Sequence, residues 1–199
     1  MHWEVVEGVR IPKRVGGDVA LDLCNTLAGW GDPPSRRSEW LPDYDALALW
    51  SESAGLLEPG SAGTLRRVSV REPEAAADVV AQVRRLRGNL HTAVLDPHHR
   101  RGLRPVGDVA RRAASHATLV AGERPSWRLP VDLELPLLAA GRAAAAFLTS
   151  GPLDQVRACP GEGCGWLFLD HRGRRRWCSM AWCGNRAKVR AHAERSRHA

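Results

Sequence analysis

The sequence predicts an α+β chain in two parts: a mainly helical N-terminal domain with a small β-hairpin, followed by a treble-clef-like module built on four cysteines. Three observations carry this expectation. Apolar residues recur at three- and four-residue steps through much of the first 150 positions. Four of the five cysteines crowd between positions 159 and 183, and the positive charge concentrates in the same C-terminal stretch. At 199 residues the chain has room for one ordinary domain and a small appendage. Its content of 44% apolar and 26% charged residues is that of a globular protein. No apolar run reaches the roughly 18–20 residues that span a bilayer, and no secretory signal pattern opens the chain. The expected compartment is therefore the cytoplasm, with no membrane partner.

Residues up to about Gly17 alternate weakly (Trp3, Val5, Val6, Val9, Ile11) and suit one or two short strands. Val19 to Leu27 is compact and apolar, and Leu23 and Leu27 at helical spacing favour a helix; Gly29 to Arg37 is a loop. Asp43 is a good N-cap for a helix through about Ala54, with Tyr44, Leu47 and Trp50 on one face and Gly55 as its stop. A short helix follows from Ala62 to Val70. Pro73 suits a first helical position, and from there Ala76, Val79, Val80, Val83, Leu86, Leu90 and Val94 mark a long helix. On it, Arg84, Arg85 and Arg87 are expected to form a wet face. Asp96 to Gly102 reads as an exposed turn, and Val106 to Ser115 as another helix. Ala117–Ala121 and Ser126–Val131 read as a hairpin, and Glu134–Thr149 as an alanine-rich helix closed by Gly151-Pro152.

From Cys159 onward there are nine Lys and Arg against three acids, whereas the preceding 158 residues hold 20 basic and 19 acidic side chains. A near-neutral body with a concentrated basic end points to a polyanion partner for that end, the plainer alternative being a solubilising tail. The cysteines weigh on the side of a folded module. Cys159-x4-Cys164 and Cys178-x4-Cys183, thirteen residues apart, have the pattern of a tetrahedral zinc site, and Pro160, Gly161, Gly163 and Gly165 let a knuckle fold its backbone round the metal. The alternatives are four reduced thiols or two disulfides. Four thiolates leave no open position, so the single Zn2+ is expected to be structural and not catalytic. A segment of this size buries too little apolar surface to fold alone, and structural zinc supplies roughly 10–16 kcal/mol of apparent binding energy. Trp166 to Asp170 alternates as a strand, Arg172–Arg174 turns it, and Arg175–Trp177 is expected to return it to Cys178. Ser179 is the expected N-cap of a last helix from Met180 to about Glu194, with Cys183 in its first turn.

Trp177-Cys178-Ser179-Met180-Ala181-Trp182-Cys183-Gly184-Asn185-Arg186, with Cys164-Gly165-Trp166-Leu167-Phe168-Leu169-Asp170 before it, resembles the CGNR zinc finger. That finger ends a bacterial family of stress-induced transcriptional regulators. Leu21-Asp22-Leu23-Cys24-Asn25-Thr26-Leu27 is similar to the LD-x-x-NT segment of the family's ABATE domain, and Tyr44, Leu47 and Trp50 to its first clear helix. The resemblance divides the chain into an ABATE-like regulatory domain, 1–152, and a CGNR-type finger, 153–199. It implies zinc held by Cys159, Cys164, Cys178 and Cys183 and a role in transcription regulation through DNA binding.

At 100° per residue, Asn185, Lys188, His192 and Arg195 share the side of the last helix away from Cys183, where they could reach phosphates or base edges; Ala187, Arg186 and Arg190 lie nearer the metal. Asn185 could make a bidentate contact to adenine. Arg186 either joins that contact surface or ties the helix to Asp170 or to hairpin carbonyls. Arg174, Arg175 and Arg176 suit phosphate contacts, although alternation should turn one of them inward. Trp166, Trp177 and Trp182 are expected to form the small core around the metal. The expected partner is nucleic acid, with double-stranded DNA favoured; an RNA- or protein-binding adaptor without sequence-specific DNA recognition is the runner-up. A two-fold operator would imply a homodimer.

The first 158 residues carry no catalytic pattern, and the chain is read as a non-enzyme. Cys24 has no adjacent base and suits a buried packing role. His98 and His99 lack a carboxylate or cysteine at ligand spacing. Asp22, Asn25 and Thr26 are polar residues in an apolar stretch; they either cap local backbone or line a pocket for a small-molecule effector.

Overall fold

A computed structural model of the chain describes residues 2–96, 98 and 100–197. Seven helices and four two-stranded antiparallel pairs make up the described part, so the architecture is α+β and mostly helical. No helix of the described residues is long and apolar enough to cross a membrane.

Strands β1 (Trp3–Val6) and β2 (Val9–Pro12) form a hairpin, and Ile11 plugs it into the core. Helix α1 (Val19–Cys24) is capped by Asp18, whose carboxylate accepts from the Ala20 N–H, and every residue from Ala20 to Cys24 is buried. It is shorter than expected, because Leu27 and Ala28 form β3, which pairs with β4 (Ser38–Glu39). Helix α2 (Tyr44–Ser53) starts at the predicted cap, Asp43 accepting from Ala46, and ends before Gly55 at φ +76°. Helices α3 (Ser61–Arg71) and α4 (Pro73–Leu95) follow as expected.

Helix α5 (Arg100–His116) begins six residues before the predicted start and carries Pro105 inside it. The 96–102 turn is correspondingly shorter; Pro97 and His99 lie outside the described residues, and His98 is exposed. Strands β5 (Thr118–Val120) and β6 (Ser126–Arg128) form the predicted hairpin, and α6 (Leu135–Ser150) the predicted alanine-rich helix. Helix α4 packs against α5 and α6, while short α1 lies against α4, α6 and the later strand β8 (Leu167–Leu169). Burying the valines and leucines of α4 is worth about 1.5–3 kcal/mol for each side chain.

One expectation about polar groups on α4 fails because the group has an ionic partner inside the fold. Arg87 is not on a wet face. It is 3% exposed, and its guanidinium grips both oxygens of Glu39 (2.8 and 2.6 Å) and the Thr26 hydroxyl (2.9 Å). Burial pushes the Glu39 carboxyl up, but the Arg87 guanidinium outweighs it and holds the group below its ordinary range. Arg84 donates to the carbonyls of Leu41 and Pro42.

Candidate metal centre and its basic face

Strand β7 (Val156–Ala158) pairs with β8, so the first cysteine pair sits at the tip of a hairpin that encloses it. The Cys159 N–H donates to the Trp166 carbonyl (2.8 Å) and the Cys164 N–H to the Gly161 carbonyl (3.0 Å), which closes the knuckle. Glycine is required here: a Cβ on Gly161 would stand 2.9 Å from the Cys183 sulfur and 3.4 Å from that of Cys159. Gly165, at φ +69°, would place a Cβ 3.0 Å from Trp30.

The return strand expected over Arg175–Trp177 does not form. Instead the Asp170 carboxylate accepts the backbone N–H groups of Arg174 (2.9 Å) and Arg175 (3.0 Å) and winds the segment into a loop. Those bonds, that of Arg175 foremost, hold the Asp170 carboxyl below its ordinary value. Met180–Gly184 then makes a wide π turn, in which the Gly184 N–H reaches the Ser179 carbonyl (3.1 Å). Helix α7 (Asn185–Arg197) follows. Ser179 has extended backbone before this turn but makes no side-chain cap.

All five cysteines are free and buried, and four converge. Sulfur–sulfur distances are 3.6 Å for Cys164–Cys178 and 3.6 Å for Cys178–Cys183, and the Cys159 thiol interacts with all three others. A tetrahedron with Zn–S bonds of 2.3 Å has sulfurs about 3.8 Å apart. The two spacings at Cys178 are thus close to those of one zinc ion, and the soft donor set suits it. In the cluster, hydrogen bonds from the neighbouring thiols pull the Cys183 thiol well below its ordinary value. Trp166 and Phe168 are fully buried against the cysteines, with Trp177 and Trp182 partly buried beside them, as the expected small core requires.

One donor has no counterpart in the sequence reasoning. His2 Nε2 lies 3.6 Å from the Cys183 sulfur, and its donor atom and the sulfurs of Cys164, Cys178 and Cys183 all lie within 4.8 Å of one another. A lone histidine 181 positions from its partner gives no spacing signal.

The segment that carries Asp22, Asn25 and Thr26 takes the backbone-capping role of the two expected, and it braces the finger. Asn25 acts as a strand edge for the finger: its Nδ2 donates to the Leu167 carbonyl (2.8 Å) and its Oδ1 accepts the Leu167 N–H (2.7 Å). Asp22 accepts the backbone N–H groups of Val15 (2.9 Å) and Gly16 (2.7 Å). Burial nevertheless raises its carboxyl above the ordinary value. The Thr26 hydroxyl donates to Leu23 and accepts from Arg87. Further bonds join the two parts: Trp166 Nε1 to the Leu27 carbonyl (3.0 Å), Gly29 N–H to the Cys164 carbonyl (2.8 Å) and Leu169 N–H to the Gly16 carbonyl (2.8 Å). Cys24 is fully buried within this brace, and burial pushes its thiol far up, which suits packing and not reactivity.

The predicted nucleic-acid residues divide. Arg175 is the inward one of its run: it lies over Phe168 at 4.4 Å and donates to the carbonyls of Val15 (2.7 Å), Trp177 and Cys178. Arg186 donates to the Glu162 carbonyl (3.0 Å) and approaches the Cys183 sulfur (3.6 Å), so its partner is the knuckle and not Asp170. Arg190 pairs with the Glu162 carboxylate. Arg174, Arg176, Asn185, Lys188, His192 and Arg195 are exposed; Arg176 rests on Trp177, and the Asn185 amide donates back to Ala181. Arg174, Lys188, His192 and Arg195 make no side-chain hydrogen bond or ion pair among the described residues.

A buried brace, a rigid four-sulfur centre and a helix with no buried residues define a protein built round one structural zinc finger. Comparison with known families agrees. A model described as "CGNR zinc finger" matches residues 155–196, and the ABATE model, described as "Putative stress-induced transcription regulator", matches residues 17–151. The chain belongs to the ABATE family, with a CGNR zinc finger at its C-terminal end, and that finger holds one zinc ion. A search of curated proteins finds no match.

Proposed function

We propose that this protein is a non-enzymatic, cytoplasmic, DNA-binding regulator of transcription, in which zinc bound by Cys159, Cys164, Cys178 and Cys183 fixes a basic surface against duplex DNA. The observation that carries this reading is the set of unengaged cations. Arg174, Lys188 and Arg195 have no partner among the described residues, whereas Arg175, Arg186 and Arg190 are tied inside the finger. Charges held rigidly and left unpaired are those that release counterions from a phosphate backbone. Asn185 stands on the same helical face and supplies a group able to read adenine. The zinc does no chemistry in this reading; four thiolates close its sphere.

We place the regulatory input at a surface cleft. Asp22, Asn25 and Thr26 are spent on the brace, whereas a cleft of about 690 Å³ opens between the Gly55–Ser61 segment and β6, lined by Leu57, Trp127, Leu129, Leu135 and Arg142. A small apolar effector carrying an acid group fits that lining. Assembly as a homodimer would give two fingers to a two-fold operator.

Selection from randomised duplex DNA tests the reading. Enrichment of a defined motif, bound with an affinity that falls steeply with salt, is the expected result. Absence of any enriched motif, with RNA or protein bound instead, would replace it with the adaptor reading.

A further inference from the structure

The zinc centre has five donors for four positions. His2 belongs to neither matched family segment, since these begin at residues 17 and 155. Its position is nevertheless built. The Lys13 N–H donates to the His2 carbonyl (2.7 Å), which extends the β1–β2 ladder by one step, and fully buried Ile11 fixes that ladder to the core. The ring stands between two tryptophans, 4.4 Å from Trp166 and 5.0 Å from Trp182 by ring centroids. Both tryptophans also pack on the cysteines, so the ring is held against the cluster from two sides.

We propose that His2 is a part of the metal centre: it caps the four-thiolate zinc at Cys183 and serves as a reserve ligand that completes the tetrahedron when Cys159 is lost. This rests on the zinc assignment made above. The donor group that closes to within 4.8 Å comprises His2, Cys164, Cys178 and Cys183, so the imidazole makes a full set of four with three cysteines and without Cys159. Three thiolates and one imidazole form a structural zinc site as readily as four thiolates do. The two tautomers of the ring divide the work. With the proton on Nε2, the ring donates to the Cys183 thiolate, 3.6 Å away, and draws off part of the negative charge that four thiolates place round one divalent ion. With the proton on Nδ1, the Nε2 lone pair is free for the metal. The N-terminal hairpin is thereby clasped to the finger, and metal occupancy sets the hold on the first residues of the chain.

The test uses the full chain with its N-terminus untagged, in four forms: parent, His2→Phe, Cys159→Ala and the double variant. Phenylalanine keeps the aromatic contacts with Trp166 and Trp182 and removes both nitrogens, so a filler role would not be disturbed. Zinc is titrated against a chromophoric chelator, and cobalt(II) is substituted to read the ligand set from its visible and charge-transfer bands. The parent binding one cobalt(II) with four-thiolate bands checks the underlying zinc assignment on its own. His2→Phe should keep those bands and weaken zinc affinity roughly tenfold or more, as loss of an outer hydrogen bond to a ligand does. Cys159→Ala should still bind one cobalt(II) in a tetrahedral site, with charge-transfer intensity reduced by one thiolate, and the double variant should bind none. A His2→Phe chain that holds zinc as tightly as the parent overturns the proposal, as does a Cys159→Ala chain as empty as the double variant.

Discussion

Helices α4 and α7 carry the same protein by opposite means. Nine residues of α4 are buried, and the helix is a wall of the apolar core. None of α7 is buried; it is joined to the rest through Cys183 in the turn before it and through the ties of Arg186 and Arg190 to Glu162. The first kind of helix is stabilised by area removed from water, which no single ligand controls. The second exists as long as its first turn is anchored. The boundary between the two regimes does not fall at the start of the finger. Val156, Leu167 and Leu169 of β7 and β8 belong to the core of the helical body, whereas the cysteines, Trp166 and Phe168 form a second cluster. Half of the finger is therefore body, and the metal rules only the remainder.

The strongest way to break this contrast is to remove the zinc. Structural zinc contributes roughly 10–16 kcal/mol of apparent binding energy, far more than the surface contacts of α7 could replace. A strong chelator, or Cys178→Ser, is expected to abolish hydrogen-exchange protection from residue 171 to residue 197. Residues 44–95 should keep theirs, and β7–β8 should retain an intermediate level through Asn25. Simultaneous loss of protection in α4 would mean that the two parts share one cooperative unit.

The hinge of the comparison is Asn25. Its amide meets both backbone groups of Leu167 in a buried position, and truncation leaves a donor and an acceptor without partners. Asn25→Ala should cost about 2–4 kcal/mol, measured by chemical denaturation of the zinc-loaded protein. It should also release β8 without emptying the metal site, since the cysteines hold one another.

A smaller and pH-dependent effect should come from His91. It lies on α4, stacked on Trp30 at 3.8 Å, and burial pushes its pKa down to about 4 from 6.5. The folded protein keeps this ring neutral while the unfolded chain protonates it. Its contribution is thus complete above pH 6.5 and is lost as the pH falls towards about 4. The expected slope is at most ~1.4 kcal/mol per pH unit. His91→Phe should flatten it in denaturation midpoints taken across that window. Glu39 acts lower: its depressed carboxyl supports the fold fully above 4.5 and fails as the pH drops from there through its lowered value, so the two meet only at the acid end of the His91 window.

What the sequence made legible follows the same division. Periodicity and capping residues placed α2, α3, α4 and α6 within a residue or two, because those helices are stabilised by the pattern that was read: apolar side chains on one face and Asp43, Gly55 or Pro73 at the ends. Cysteine spacing placed the finger, since a tetrahedral ion imposes it. The failures lie where one side chain serves a distant backbone. Arg87 reads as a solvated helix residue until Glu39 and Thr26 are seen beside it, and Asn25 reads equally as a backbone cap or a pocket residue until Leu167 arrives from 142 positions away. His2 fails in the same way. The expected return strand at Arg175–Trp177 rests on the turn at Arg172–Arg174 and the need to reach Cys178, and Asp170 overrides it by capturing two backbone amides in a loop.

The exposed face of α7 supplies the subtlest way to sharpen the contrast, because there stability and function should separate. Lys188 and Arg195 touch no acid among the described residues and stand one side of the helix away from Cys183. Changing both to alanine should alter stability by no more than about 0.5 kcal/mol, the usual range for surface positions without partners. Zinc content should stay at that of the parent. Nucleic-acid affinity should nevertheless fall, and the log–log slope against salt should shrink by about 0.9 for each phosphate contact removed. The same change on Arg175 and Arg186 should behave in reverse, loosening the finger before it alters the salt slope, because those two are bound to Val15 and Glu162. A double variant of Lys188 and Arg195 that binds with unchanged slope would move the contact surface to the Arg174–Arg176 loop and leave α7 as a strut.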